Sequence, residues 1–158
     1  MDKYINFFSK SKTLINYLNN IKNKGLKHAY LFNSCDEIKN QTASLLLALI
    51  INCENENVCL NCKNCLKILN GNSLDIYTYP KNKSIVVDDI KEIIESAYIK
   101  PAELKNKIYI LNNFDEANIA SQNKFLKTLE EPPNNVIFLL NTTNLDKVLA
   151  TIKSRTTV

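Results

Sequence analysis

The chain has 158 residues, 45% of them hydrophobic, which is enough for one compact core and too little for two. Its formal charge of +4 is modest, with Lys, Asp and Glu interspersed, so charge alone does not indicate a dense phosphate-binding surface. The opening MDKYINFFSK lacks the features of an export signal, and the longest apolar stretch, Ala43 to Ile51, is far short of the roughly 20 residues of a membrane span. The expectation is a soluble cytoplasmic protein without a membrane partner, in which thiols stay reduced and clustered cysteines read first as a metal site.

In chain order, Lys3 to Lys24 carries Phe7, Leu14, Ile15, Leu18 and Ile21 at mostly helical spacings, with Gly25 as a stop. Ala29 to Phe32 suits a buried strand and leads through a polar loop into a helix that runs to about Cys53. Asp75 to Tyr79 reads as a second strand. Ile90, Ile93, Ile94 and Ala97 mark a helix that starts near Asp89, with Glu92 three residues on, and is closed by Pro101. Lys107 to Asn112 is a third strand, Asn118 to Glu131 a helix stopped by Pro132 and Pro133, Val136 to Leu140 a fourth strand, and Leu145 to Ala150 a short helix. Apolar strands alternating with helices predict an α/β, doubly wound parallel sheet covered on both faces. Ligands of such sheets bind beyond the carboxyl ends of strands, which points to the loops after Phe32, Leu111 and Leu140.

Cys53, Cys59, Cys62 and Cys65 are spaced C-x5-C-x2-C-x2-C, and two-residue gaps let thiolates converge on one tetrahedral ion. Zinc is the leading reading. An iron-sulfur cluster is the main rival, although the usual bacterial run has a fourth cysteine followed by proline and no cysteine follows Cys65 here; disulfides come third. Four cysteine ligands leave no open position, so such a zinc is structural. Cys35 stands apart and reads as an ordinary buried or loop cysteine. His28, the one histidine, reads as structural.

The segment HAYLFNSCDEIKNQTASLLLALIINC, the cysteine cluster, NKFLKTLEEPPNNVIFLLNTT and TIKSRTT together resemble the gamma/tau and delta-prime clamp-loader subunits of bacterial DNA polymerase III, a group within the AAA+ superfamily. The resemblance runs from about Tyr4 to Val158. It implies a P-loop NTPase-like sheet of about five strands in a single AAA+-like domain over 1–158, with the zinc module, about 53–70, inserted after the first core helix. The lid and collar domains of the group are not in this stretch, so a truncated piece of a longer chain is expected, monomeric when isolated.

ATPase members of the group carry G-x4-G-K-[ST] between the first strand and helix, because glycines permit close backbone approach and lysine neutralises phosphate. Here Ser34 and Lys39 occupy the two glycine positions of that motif, Glu37 a third glycine position within its gap, Asn40 the lysine and Gln41 the hydroxyl. Ser34 and Glu37 have capping-box spacing and are expected to take the helix's free amides. The acidic pair after the third strand is replaced by Asn112 and Asn113, and a carboxamide cannot act as a general base. The expectation is therefore no ATP site and no enzyme. Asp115 and Glu116 read as a helix-start pair.

Arg155, by spacing alone a strand-edge arginine, matches the position at which the group presents an arginine finger to a neighbour's ATP. Thr142 or Thr143 matches a sensor position. Lys124 and Lys127 are candidates for DNA contact, whereas Glu130 and Glu131 read as a solvated helix face. By resemblance the partners are the other loader subunits (gamma/tau and delta) and, through the assembly, the sliding clamp and primed DNA. The rival readings are an active gamma/tau-type ATPase with a divergent phosphate loop and a zinc-stabilised nucleic-acid-binding module.

Overall fold

The computed structural model describes residues 12–158. Helix α1 (Lys12–Asn23) stops ahead of Gly25, whose φ of +96° is open to glycine without strain. The earlier part of the helix expected from Lys3, with Phe7, lies outside the described residues. Strand β1 (Ala29–Asn33), helix α2 (Glu37–Asn52) and a short helix α3 (Lys63–Leu69) follow, the last inside the cysteine segment. Then come β2 (Ile76–Tyr79), α4 (Val87–Ala97), β3 (Lys107–Leu111), α5 (Ile119–Glu130) and β4 (Val136–Thr142). A 3-10 turn at Leu145–Lys147 and the one-turn helix α6 (Ala150–Lys153) come last.

The sheet is parallel, in the order β1-β4-β3-β2. Among the described residues the sheet has four strands, against the expected count of about five. Beyond α6, Thr157 donates to the Ala29 carbonyl at 3.0 Å and accepts from the Leu31 amide at 2.8 Å. Those two bonds make one isolated bridge, Tyr30 with Thr157, whereas a strand needs a run of them.

Burial alternates along the central strands. Val136, Phe138 and Leu140 of β4, with Tyr109 and Leu111 of β3, enter a core closed by Ile90 and Ile93 of α4 and Phe125 and Leu129 of α5. Ile137 and Leu139, with Ile108 and Ile110, enter a second core closed by Leu46, Leu47 and Ile50 of α2 and Leu18 of α1. This period of two places helices on both faces, as a doubly wound sheet requires. Residues 46–52 of α2 are buried in an unbroken run, because that helix is packed between the sheet, α1 and α3.

Two helix boundaries differ from the sequence reading. Helix α4 begins at Val87, and Asp89 sits in its third position, where its carboxylate accepts the Val86 amide at 2.9 Å. Glu92 instead accepts the Tyr79 hydroxyl at 3.0 Å. The helix expected over 145–150 is broken at Val148 by the buried Gln122. Its amide donates to the Lys147 carbonyl at 3.0 Å, and its carbonyl oxygen accepts the Leu149 amide at 2.9 Å. Backbone groups that would extend a helix are thereby satisfied by a side chain.

Asp75, fully buried, accepts the amides of Ala102, Glu103 and Leu104 at 2.7, 2.7 and 2.8 Å. One carboxylate thus ties the start of β2 to the loop between α4 and β3. Buried Lys107 holds the other end of that loop by donating to the carbonyls of Ser96 and Ile99 at the carboxyl end of α4, where orphan acceptors favour a cation. Replacing Asp75 with Ala should lower unfolding stability in urea by about 3 kcal/mol, since buried donors lose an ionised acceptor. Asp88→Ala, which removes only an exposed pair with Lys91, should change it by less than about 0.5 kcal/mol.

Candidate functional site

The sulfur atoms of Cys53, Cys59, Cys62 and Cys65 all lie within 4.8 Å of one another, and those of Cys53 and Cys59 are 3.6 Å apart. Four ligands held tetrahedrally at about 2.3 Å would sit about 3.8 Å from each other, so the spacing and the donor set fit a single thiolate-bound ion. The local backbone explains the convergence. Leu60 adopts a φ of +58°, which turns the chain between the first two ligands of the tight run. The Cys62 amide then donates to the Cys59 sulfur at 3.3 Å, and the Cys65 amide to the Cys62 sulfur at 3.5 Å. Cys62 therefore caps α3, the helix that carries Cys65 into the core. Backbone donation from Asn61, helped by Cys62 and side chains, brings the Cys59 thiol down to about 6, while burial pushes Cys65 up.

The cysteine segment is braced against the body of the domain. Asn52, the residue before Cys53, accepts the Asn106 amide through its side chain at 3.1 Å and the Asn64 carboxamide through its carbonyl at 3.0 Å. Lys67 of α3 pairs with Glu103, whose other oxygen accepts the Leu74 amide at 3.0 Å. The same loop that Asp75 holds is thus tied to the cysteine centre.

At the carboxyl edge of the sheet, the positions aligned with a phosphate loop are filled by internal bonds. Asp36, not Ser34 with Glu37, caps α2: its carboxylate accepts the amides of Ile38 and Lys39 at 3.0 and 3.3 Å. The expected capping box is corrected because Ser34 instead bonds Asp36's own backbone, at 3.0 and 3.1 Å, and Glu37 accepts from Gln41 at 2.9 Å. Lys39 lies exposed, 3.6 Å from Asp36. Asn40 is buried and donates to the carbonyls of Ser34 and Thr142 at 3.1 and 2.8 Å. A second chain runs from Ser44 to Asn141 at 2.6 Å and from Asn141 to Asn112 at 2.7 Å. Asn113 takes a left-handed φ of +49° and turns the chain into a 3-10 turn at Phe114–Glu116. Asp115, nearly buried there, faces the amide and hydroxyl of Thr143 at 3.4 Å each, a pairing that no local sequence pattern marks.

Arg155 lies at the other end of the molecule. It borders a cleft of about 360 Å³ lined by Lys27, His28, Glu130, Ser154 and Thr156 among others, beside the first residue of β1. Its Nε donates to Glu130 at 2.9 Å, its Nη2 to the same oxygen, and its Nη1 to the Thr151 carbonyl at 2.8 Å and the Ser154 hydroxyl at 3.3 Å. Glu130 is exposed on its helix, as the sequence reading has it, and is in addition the ion-pair partner of Arg155. The partner sits 25 residues away in the chain and cannot be read from helix periodicity. His28 is half-buried, with Nε2 unpartnered among the described residues. Cys35 is exposed.

The family described as "DNA polymerase III, delta subunit" matches residues 9–158. The chain belongs to this family. It is 34% identical over 133 residues to a DNA polymerase III subunit gamma of Buchnera aphidicola, covering 82% of this chain and 36% of that protein. It is 35% identical over 148 residues to the subunit tau of Bacillus subtilis, covering 92% of this chain and 26% of that one. A crystal structure of a DNA polymerase III gamma subunit-related protein from Thermotoga maritima superposes with a TM-score of 0.70 at 26% identity, covering 90% of this chain and 44% of the other. The chain therefore spans well under half the length of these relatives.

These names correct one expectation. The altered residues at Ser34 to Gln41 and at Asn112 and Asn113 suggest that the chain is no enzyme, yet these curated relatives bear the gamma and tau names of the group's ATPase branch. Altered motif positions describe one loop, whereas the similarity to gamma and tau runs through most of the chain.

Within this family member, Lys124 and Lys127 line a cleft of about 330 Å³ between α4 and α5 with Lys91 and Tyr98. Among the described residues no helix is long and apolar enough to cross a membrane. Asn40→Ala should lower unfolding stability by about 2 kcal/mol in chemical denaturation, because it strands two carbonyls, and Asp36→Ala by about 1 kcal/mol through loss of the cap.

Proposed function

We propose that the chain is the nucleotide-fold domain of a DNA polymerase III clamp-loader subunit in cytoplasmic DNA replication, standing in the delta-prime place and presenting Arg155 to nucleotide bound by a neighbouring subunit. Its partners are the other loader subunits and, through them, the sliding clamp and primed DNA. The observation that carries this reading is the position of Arg155 beside the start of β1. The five residues of β1 separate it by roughly 16 Å from the loop that follows Asn33, so it cannot reach a phosphate in its own chain's loop. A cation set at that edge serves a ligand held by another subunit, where a guanidinium stabilises charge on a transferring phosphoryl group.

The four cysteines hold zinc in this reading, as a closed structural site. Native mass spectrometry should find one zinc per chain, absent from Cys62→Ser. Chelation should lower the melting temperature by several degrees, because metal binding to such sites adds to folding free energy. An intense visible absorption of the purified protein, in place of bound zinc, would assign the site to iron and sulfur.

The finger is tested in a loader reconstituted from full-length subunits, with turnover read at the neighbouring site. Arg155→Ala should lower turnover there by about 1000-fold, within the range measured for arginine fingers; unchanged turnover removes the role. The gamma and tau names of the relatives favour a second reading, a gamma/tau-type ATPase with a divergent phosphate loop. Calorimetry with ATP and Mg²⁺ separates the two, since that reading requires a binding heat and the delta-prime reading expects none.

A further inference from the structure

We infer that Glu130 is a latch for Arg155, holding its guanidinium against the chain's own α5 until a phosphate from the neighbouring subunit displaces the carboxylate. The inference rests on the proposed in-trans role and adds a residue that regulates it.

The argument is an inventory of donors. An arginine side chain has five N–H groups in a planar fork. Here Nε and one Nη2 proton meet a single oxygen of Glu130, and Nη1 meets the Thr151 carbonyl and the Ser154 hydroxyl. One N–H of Nη2 is left without a partner among the described residues. A single N–H cannot make the bidentate contact for which arginine is suited, so engaging a phosphate requires giving up an existing set of bonds. The Thr151 and Ser154 contacts are neutral and local to α6. The Glu130 contact is the charged one, and it spans two elements.

The pair is also placed to release. The side chains of Glu130 and Arg155 are 49% and 30% exposed, so both ends can be rehydrated when the bond breaks. An exposed pair of this kind is weak, whereas a phosphate brings more than one negative charge and several acceptor oxygens to the same fork. Glu130 closes α5 just before Glu131, Pro132 and Pro133, where the helix cannot continue, so its backbone is held at a fixed helix end. The pair borders a cleft of about 360 Å³, so it is approachable from outside the chain.

The test uses the full-length subunit in the reconstituted loader, with Glu130→Gln, Arg155→Ala and the double variant. Glu130→Gln removes the charge but keeps the shape, and should raise kcat/KM for ATP at the neighbouring site about two- to fivefold, the population shift expected when a weak exposed pair is lost. The double variant should match Arg155→Ala. A merely structural Glu130 would lower turnover or leave it unchanged. Either result with Arg155→Ala still impaired overturns the latch and leaves the finger intact. If Arg155→Ala has no effect, the finger and the latch fall together. Should Glu130→Gln melt early, Glu130→Asp, whose shorter carboxylate loosens the pair, must raise kcat/KM in the same direction or the latch is rejected.

Discussion

Strands β3 and β4 are covered on both faces, and that double burial limits where this chain can place polar chemistry. Every side chain of β3 and β4 is buried, so the centre of the sheet is closed to solvent and the polar sets described above lie at its two ends. At the carboxyl edge stand the loops after β1, β3 and β4. At the amino edge stand Lys27, His28 and Arg155. A strand length of parallel sheet separates the two, which is why a single side chain cannot serve both.

At the carboxyl edge a buried polar set is held by internal hydrogen bonds. Asn40 and Asn141 are buried and can neither ionise nor leave their hydrogen-bonding capacity unused without a penalty. They are joined to Ser34, Ser44, Asn112 and the Thr142 carbonyl, so carboxamides hold the loops of this edge together. Asp36 does the same for the amides at the start of α2. The gamma and tau relatives show that such a loop sits in a fold shared with those subunits, and residue identities alone do not decide what enters it.

Much of this fold is legible in the sequence because burial writes itself as apolar runs. The four strands and the helices α2, α4 and α5 follow from that pattern, and four close-set cysteines mark the thiolate centre. The features that escape are those made by partners distant in the chain. Helix α3 is hidden because its cap is the Cys62 sulfur, a ligand residue that carries no ordinary start signal. The capping box at Ser34 and Glu37 has the right spacing, but Asp36 lies nearer the free amides and wins. Asp75 gives no hint of the three amides it meets 27 to 29 residues later. The break after Lys147 is imposed by Gln122 from another helix.

The same distinction explains why the amino edge is hard to read and informative once seen. Spacing leaves Arg155 an ordinary edge arginine and Glu130 an ordinary helix-end glutamate. Their pairing joins the end of α5 to the turn after α6. The cysteine centre lies on the opposite face, where Lys67 with Glu103 and Asn52 with Asn106 fasten it to the loop held by Asp75. None of these contacts joins the centre to Arg155. The cysteine cluster is thus fastened to one face of the scaffold, and the charge at the amino edge has its own local partner in Glu130.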